Sequence, residues 1–265
     1  MRTLAPMGGA SAPLGRRNPV AKLGAMMALT IALLAALDPV TPAVALAAEL
    51  AVVPLFGVRY RALLRRSTTL LVSVAGIAVT QLLFGTSHSG PVLLDAGPLV
   101  VTSGLATTVL GLSLRILAVA LPGMVVVATT DPTDLADSLT QHLRVPTRFA
   151  VGALAAFRLL PLLADEWELL MLARRARGVD AGCNPVAYTR LVVSTAFALL
   201  VGAIRRGTRL ATAMDARGFD SRLPRSVARP QRFTAGDAAL VAGALAVASV
   251  AIGTSVATGT FRLFL

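Results

Sequence analysis

The sequence predicts an all-α integral membrane protein with about five transmembrane helices and a further cytoplasmic region of about three helices. Three observations support this. Hydrophobic residues make up 55% of the 265 residues and charged residues only 14%, with a mean hydropathy of +0.75, which is too apolar for a soluble domain of this length. Long apolar segments recur along the chain. Basic residues collect in some of the connections between them, as they do in cytoplasmic loops.

Five apolar segments approach or exceed the roughly 20 residues that a helix needs to cross the hydrocarbon core. They cover residues 21–37, 43–58, 68–84, 99–129 and 238–256. We expect a short cytoplasmic tail over residues 1–20 and a four-span transmembrane region over residues 21–130. The last span and the C-terminus then occupy residues 235–265.

The distribution of basic residues predicts the orientation of the chain. Basic residues stand before or at the start of the first segment and in the connection after the second: Arg16, Arg17, Lys22, Arg59, Arg61, Arg65 and Arg66. The connection over residues 38–42 and the Gly/Pro-rich loop over residues 85–98 contain neither Lys nor Arg. Since Lys and Arg favour the cytoplasmic side, we expect a multi-pass protein of the cell membrane with a cytoplasmic N-terminus.

The region over residues 131–234 has a different composition. Between Asp131 and Arg232 lie 15 of the 25 basic residues and 9 of the 13 acidic residues. The apolar runs there, over residues 151–163 and 191–204, are short and flanked by charges. This pattern is typical of helices that lie against the membrane or against other helices, so we do not predict spans here. We expect Asp165, Glu166 and Glu168 to pair with neighbouring arginines.

A short motif occurs twice in this region, each time after a long helical stretch. Its two copies are Ala176-Arg177-Gly178 and Ala216-Arg217-Gly218. In each copy, one apolar residue separates the glycine from an aspartate, Asp180 or Asp220. Glycine after the last helical residue supplies a left-handed C-cap, and an arginine there favours the negative end of the helix dipole. Ordinary helix ends therefore explain each copy. Their recurrence favours a second interpretation, in which each guanidinium docks in an acidic groove of a partner.

Three further motifs accompany the two copies in a fixed order. They are Asn18-Pro19-Val20-Ala21-Lys22, then Thr129-Thr130-Asp131-Pro132-Thr133-Asp134-Leu135, then Arg158-Leu159-Leu160-Pro161 with Glu166 after it. The ordered series, which covers almost the whole chain, resembles the transmembrane T component (EcfT/CbiQ-like family) of energy-coupling factor (ECF) transporters. The doubled Arg174-Arg175 before the first Ala-Arg-Gly copy departs from the family pattern.

The resemblance implies a non-catalytic transmembrane coupling subunit of an ECF-type ABC importer, without a cofactor. Its two Ala-Arg-Gly motifs would end coupling helices that dock on two ABC-type ATPase subunits. A separate substrate-binding membrane protein, the S component, would carry a vitamin or a transition-metal ion such as cobalt. The sequence contains no P-loop, so ATP would be hydrolysed by other chains.

Two rival functions remain to be weighed. A self-contained secondary transporter would place its substrate site at the membrane midplane, near Glu49 and Arg115, which form a possible intramembrane pair. Arg115 could instead extend beyond the bilayer on a long helix. An intramembrane enzyme would need a cluster of His, Asp and Glu on the spans, and the sequence places none there. A single cysteine, Cys183, and few aromatic residues favour neither a metal site nor nucleic-acid binding.

The orientation can be tested by cysteine labelling. Cysteines at Ser87 or Ser89 should react with a membrane-impermeant reagent added from outside, because the loop that contains them has no basic residues. Cysteines introduced in place of Arg61 or Ser221 should react only after the membrane is permeabilised. Equal labelling of both sets from outside would contradict the predicted topology.

Overall fold

The computed structural model describes residues 14–36, 38–57, 60–85, 90–96, 99–182, 184–219, 221 and 226–260. Several residues used in the sequence analysis lie outside these ranges: Arg59, Ser87, Ser89, Cys183 and Asp220, the aspartate that follows the second Ala-Arg-Gly copy.

The described residues form eight α-helices and one short β-hairpin. The helices are α1 (Pro19–Ala35), α2 (Val40–Val52), α3 (Tyr60–Phe84), α4 (Ser103–Thr129), α5 (Pro132–His142), α6 (Thr147–Ala176), α7 (Pro185–Ala216) and α8 (Ala235–Ala257). One 3₁₀ turn over Val53–Phe56 follows α2 and ends at Gly57, whose φ is +74°. The hairpin pairs β1 (Val92–Ala96) with β2 (Leu99–Thr102) in an antiparallel register.

Five helices are long and apolar enough to cross a membrane: the part of α3 over Ser67–Phe84, and α4, α6, α7 and α8. This confirms the predicted all-α integral membrane protein. The set of long helices differs from the five apolar segments of the sequence, because α1 and α2 contain only 17 and 13 residues. The apolar runs of residues 151–163 and 191–204 instead lie inside α6 and α7, which continue through the flanking charges. The cytoplasmic location of residues 131–234 stays a prediction.

The start of the fourth apolar segment also folds differently from the prediction. Residues 99–102 form strand β2, and α4 begins at Ser103. Val100 and Val101 have high β propensity, and residues 99–101 pair with residues 94–96 of β1. The Thr102 hydroxyl then accepts a hydrogen bond from the Leu105 N–H at 3.3 Å and caps α4.

The chain forms two compact units. Unit 1 covers Met1–Asp134 and Gln231–Leu265, and its described part contains α1 to α4 and α8. In this unit α1 packs on α8 and α4, and α2 packs on the same two helices. Their contacts are rich in alanine, with clusters that include Ala25 with Ala244 and Ala45 with Ala118. Small side chains let helix backbones approach closely, as in many membrane helix pairs.

A buried polar junction fixes the first turns of α1 and α8. Asp237, which is 1% exposed, accepts hydrogen bonds from the Thr234 N–H at 2.8 Å and the Thr234 hydroxyl at 2.7 Å. The Thr234 side chain also accepts from the Asp237 N–H, which completes a capping box on α8. The other carboxylate oxygen of Asp237 accepts from the Asn18 N–H at 2.9 Å. Nearby, the Lys22 ammonium donates to the Thr129 carbonyl at the end of α4, at 2.9 Å. The ends of three helices are therefore held together by hydrogen bonds.

Unit 2 covers Leu135–Pro230 and contains α6, α7 and most of α5. The two long helices α6 and α7 are antiparallel, as their contacts show below. Both keep many large apolar side chains exposed, including Phe157, Leu169, Phe197 and Ile204. A unit with so much exposed apolar surface on long helices is typical of a protein that meets lipid or other membrane proteins.

We predict that Asp237→Ala destabilises the protein by about 2–4 kcal/mol, because it removes a helix cap and leaves buried N–H donors without an acceptor. Thermal unfolding of the purified protein in detergent measures the effect. Asp215→Ala is the matched control, since Asp215 is exposed on α7. An equal, small change for both variants would mean that the junction contributes little.

Candidate functional site

The two Ala-Arg-Gly motifs form two helix ends with the same backbone geometry. Arg177 caps α6 with φ −90° and ψ 9°, and Arg217 caps α7 with φ −90° and ψ 10°. The next residues, Gly178 and Gly218, have φ of +75° and +68°. A side chain with a Cβ is strained in this left-handed region, so the geometry explains the glycine in each copy.

The hydrogen bonds of the two ends are also the same. In the first, the Val179 N–H donates to the Arg174 carbonyl and the Gly178 N–H to the Arg175 carbonyl, both at 2.9 Å. In the second, the Phe219 N–H donates to Met214 at 3.1 Å and the Gly218 N–H to Asp215 at 2.9 Å. Both pairs are Schellman motifs, which satisfy the last carbonyls of each helix and fix the direction of its last turn.

The six motif residues lie at the surface of unit 2. Arg177 and Arg217 are both exposed, as are Ala176 and Ala216 before them. The guanidinium of each arginine is planar, always charged, and able to donate two parallel hydrogen bonds to a carboxylate. Each helix end can therefore present a cation to an acidic partner on a backbone that is already fixed.

Contacts between α6 and α7 determine where the two ends lie. The Arg174 guanidinium donates to the Leu191 carbonyl at 3.3 Å and to the Ser194 hydroxyl. One turn earlier on α6, Met171 contacts Thr195. Residues later on α7 therefore meet residues earlier on α6, so the two helices are antiparallel.

Farther along the same pair, Glu166 of α6 forms an ion pair with Arg206 of α7. The pairing of Glu166 with an arginine was expected from the sequence, but its partner is on the next helix and not nearby in the chain. No sequence pattern separates Arg206 from Arg205 or Arg209 as the partner.

The antiparallel arrangement places the two Ala-Arg-Gly ends at opposite ends of α7. The first lies beside the beginning of α7, where Arg174 contacts Leu191, and the second terminates α7. A straight helix of 32 residues is about 48 Å long. Two arginines so far apart cannot enter one groove, so any partners must be bound at two separate places.

The structure also distinguishes the arginines at the end of α6. Arg174 is turned onto α7 and holds the two helices together. Arg175 and Arg177 are exposed. The doubled arginine therefore combines a contact within unit 2 with an outward charge, a difference in role that the sequence does not reveal.

The predicted pair of Glu49 with Arg115 is not formed in the structure. Among the described residues, both carboxylate oxygens of Glu49 are buried without a hydrogen-bond partner. Arg115 donates instead to the Ala36 carbonyl at the end of α1 and is attracted by the charge of Asp38. The sequence placed both charges inside the apolar segments correctly, but a nearer partner competes for Arg115 just after α1.

Asp38 caps the start of α2. Its carboxylate accepts hydrogen bonds from the Thr41 N–H at 2.7 Å and from the Thr41 hydroxyl at 2.8 and 2.9 Å. Burial by itself raises the pKa of Asp38, but these hydrogen bonds outweigh burial and hold the pKa below its usual value. The stabilisation from Asp38 is therefore complete at neutral pH and is lost as the pH falls through this lowered pKa.

The new partner of Arg115 gives a test by double-mutant cycle. Arg115→Gln and Asp38→Asn should each lower the thermal stability in detergent, with a coupling free energy of about 0.5–3 kcal/mol. Glu49→Gln should cause no loss, because it replaces a buried carboxyl group that has no hydrogen-bond partner, and its effect should add to that of Arg115→Gln. Coupling of Arg115 to Glu49 and not to Asp38 would contradict the contacts described here.

Among the described residues, no group of three or more His, Cys, Asp or Glu is placed to hold a metal ion. The candidate site consists of the two arginine-bearing helix ends.

Comparisons with known proteins agree with this type of molecule. The family model described as cobalt transport protein (CbiQ) matches residues 10–227. The chain is 35% identical over 125 residues to the energy-coupling factor transporter transmembrane protein EcfT of Exiguobacterium sibiricum, covering 44% of this chain and 48% of that protein. It is 31% identical over 178 residues to EcfT 1 of Listeria monocytogenes, covering 64% of this chain and 66% of that protein. The chain thus spans about half to two thirds of the length of these relatives.

Proposed function

The chain belongs to the cobalt transport protein (CbiQ) family, and we propose that it is the transmembrane coupling subunit of an ECF-type ABC importer. In this role it links ATP hydrolysis by two ABC-type ATPase subunits to the uptake of a vitamin or a transition-metal ion. A separate substrate-binding membrane partner, the S component, carries the substrate. The chain itself performs no catalysis.

The observation that carries the proposal is the pair of matching helix ends at Arg177 and Arg217. Each presents an exposed guanidinium beyond a fixed last turn. Because the ends lie at opposite ends of α7, they suit two ATPase subunits that bind separately. The relatives named energy-coupling factor transporter proteins support the same assignment.

The long helices α6 and α7 connect these ends to the rest of unit 2. Glu166 with Arg206 and Arg174 with Ser194 hold the two helices together. A displacement of one end would therefore move both helices. Coupling requires contacts that differ between the two nucleotide states of the ATPases, and movement of the docked ends would supply that difference.

Apolar side chains exposed on α6 and α7 supply a surface for the substrate-binding partner. Leu169 on α6 is 65% exposed, and Phe197 on α7 is 66% exposed. Movement of this surface would release or tilt a membrane protein bound to it. We place both arginine ends on the cytoplasmic side, where the ATPases must be, so in this proposal α6 and α7 lie along the membrane and do not cross it.

The alternative of a self-contained secondary transporter has weaker support. It depends on a midplane site near Glu49 and Arg115. Arg115 is engaged with Ala36 and Asp38, so the two charges do not form one site.

The docking role predicts a clear effect of removing either arginine. Arg177→Ala and Arg217→Ala should each weaken association with the ATPases by about 2–5 kcal/mol, mostly through faster dissociation, since each removes a charge-assisted contact at an interface. Arg→Lys should restore only part of the association, because an ammonium lacks the planar two-donor fork. Pull-down of the ATPases at matched expression, together with substrate uptake, measures both effects.

Arg205→Ala is the matched control. Arg205 is exposed in the interior of α7, away from both of its ends, so its loss removes the same charge without altering a helix end. If the motifs are ordinary helix ends, each Arg→Ala should cost only about 0.3–1 kcal/mol of stability and leave assembly intact. Equal ATPase binding and uptake in all three variants would rule out the docking role.

A further inference from the structure

A small polar pocket lies among the polar residues at the start of α1 in unit 1. Its volume is about 170 Å³. The charged residues on its wall are Arg16, Arg17, Lys22, Arg232, Asp131 and Asp134. Four are basic and two are acidic, so the formal charge of the wall is +2. The pocket therefore favours an anion.

Two buried donors on the wall of this pocket have no partner among the described residues. Asn18 is 4% exposed, and its Oδ1 accepts a hydrogen bond from the Val20 N–H at 2.9 Å. That bond assigns the other end of the amide as Nδ2, which is unpartnered. The Thr130 hydroxyl is also buried and unpartnered. Buried donors without acceptors cost folding free energy, so a ligand with several acceptor oxygens fits here.

A larger apolar cavity adjoins the polar pocket. Its volume is about 470 Å³, within the range of pockets that enclose a ligand of moderate size. Apolar side chains from four helices line it, among them Leu29, Val52, Leu121 and Leu240. Arg17 and Lys22 lie on the walls of both cavities. The two cavities are therefore neighbours, with these two cations between them.

We propose that unit 1 binds one anionic phospholipid, with its phosphate in the polar pocket and an acyl chain in the apolar cavity. The phosphate oxygens accept from the unpartnered Asn18 and Thr130 donors and are attracted by Arg17 and Arg232. Among the described residues on the wall of the apolar cavity, the cations are Arg17 and Lys22, which also line the polar pocket, so the far end of the cavity offers an anion no cation. The charges thus determine which end of the lipid enters each cavity.

A phospholipid explains both cavities, whereas free phosphate explains only the polar one. An acyl chain suits an apolar cavity that offers few polar groups to a ligand. Burial of each methylene of the chain adds to the free energy of binding. The anionic headgroup supplies the charge that Arg17 and Arg232 attract, by the same interaction that draws basic protein segments to anionic membrane surfaces. The inference is independent of ATPase docking, because all its residues lie in unit 1.

The test uses the full chain purified in detergent and measures thermal unfolding at increasing lipid concentration. Phosphatidylglycerol should raise the unfolding temperature in a saturable manner and with higher affinity than phosphatidylcholine at equal mole fraction. Arg232→Gln should weaken the apparent affinity for phosphatidylglycerol by about fivefold, the factor that corresponds to about 1 kcal/mol per basic residue near an anionic lipid surface. Arg61→Gln is its control, because Arg61 is exposed on α3 and does not line the pocket.

A second variant tests the acyl chain separately. Gly243 lines the apolar cavity, and a Cβ added there meets no atom within 4 Å. Gly243→Leu should therefore fill part of the cavity and weaken phosphatidylglycerol binding without unfolding α8. Gly253→Leu is the control, since a Cβ at Gly253 also meets no atom within 4 Å and Gly253 lies outside the cavity wall.

Three results would overturn the proposal. The first is an equal effect of phosphatidylglycerol and phosphatidylcholine. The second is unchanged phosphatidylglycerol affinity in both Arg232→Gln and Gly243→Leu. The third is full protection by inorganic phosphate alone, which would identify a free-phosphate site and leave the apolar cavity without a role.

Discussion

The buried carboxylate of Asp237 is the interaction on which the arrangement of unit 1 depends. An ionised group in a low-dielectric interior is tolerated only when hydrogen bonds replace its water. Asp237 has two such donors on its own helix, from Thr234, and one from Asn18 on α1. Satisfying this charge therefore holds α1 against α8, and the alanine-rich contact between the two helices follows from that register.

Lys22 extends the same constraint to a third helix. Lys22 is 2% exposed, and its ammonium donates to the Thr129 carbonyl, a group at the C-terminus of α4 that has no partner within its own helix. The positive charge also suits the negative end of the helix dipole. The polar pocket and the apolar cavity border this junction, so the groups that fix the helix ends are also the groups that could hold a lipid.

Unit 2 is organised by a different principle. Its ion pair and hydrogen bonds join α6 to α7 along their sides, while the last turn of each helix is closed by its own backbone. The two arginine ends therefore do not depend on the contacts between the helices for their local shape. In the docking role proposed above, this separation would let the helix pair move while its ends keep a constant backbone geometry.

The sequence by itself determined the membrane class, the family and both Ala-Arg-Gly helix ends. Each of these follows from composition or from residues close together in the chain: apolar length, an ordered series of motifs, and a glycine at a C-cap. The tertiary structure decided which charges meet. Arg115 contacts Ala36 and is attracted by Asp38, and it does not pair with Glu49. Glu166 forms its ion pair with Arg206. The lengths of α6 and α7 and the β2 strand were also decided at this level. Such choices depend on which groups compete in space for one buried charge or one run of backbone, and residue spacing along the chain does not encode that competition.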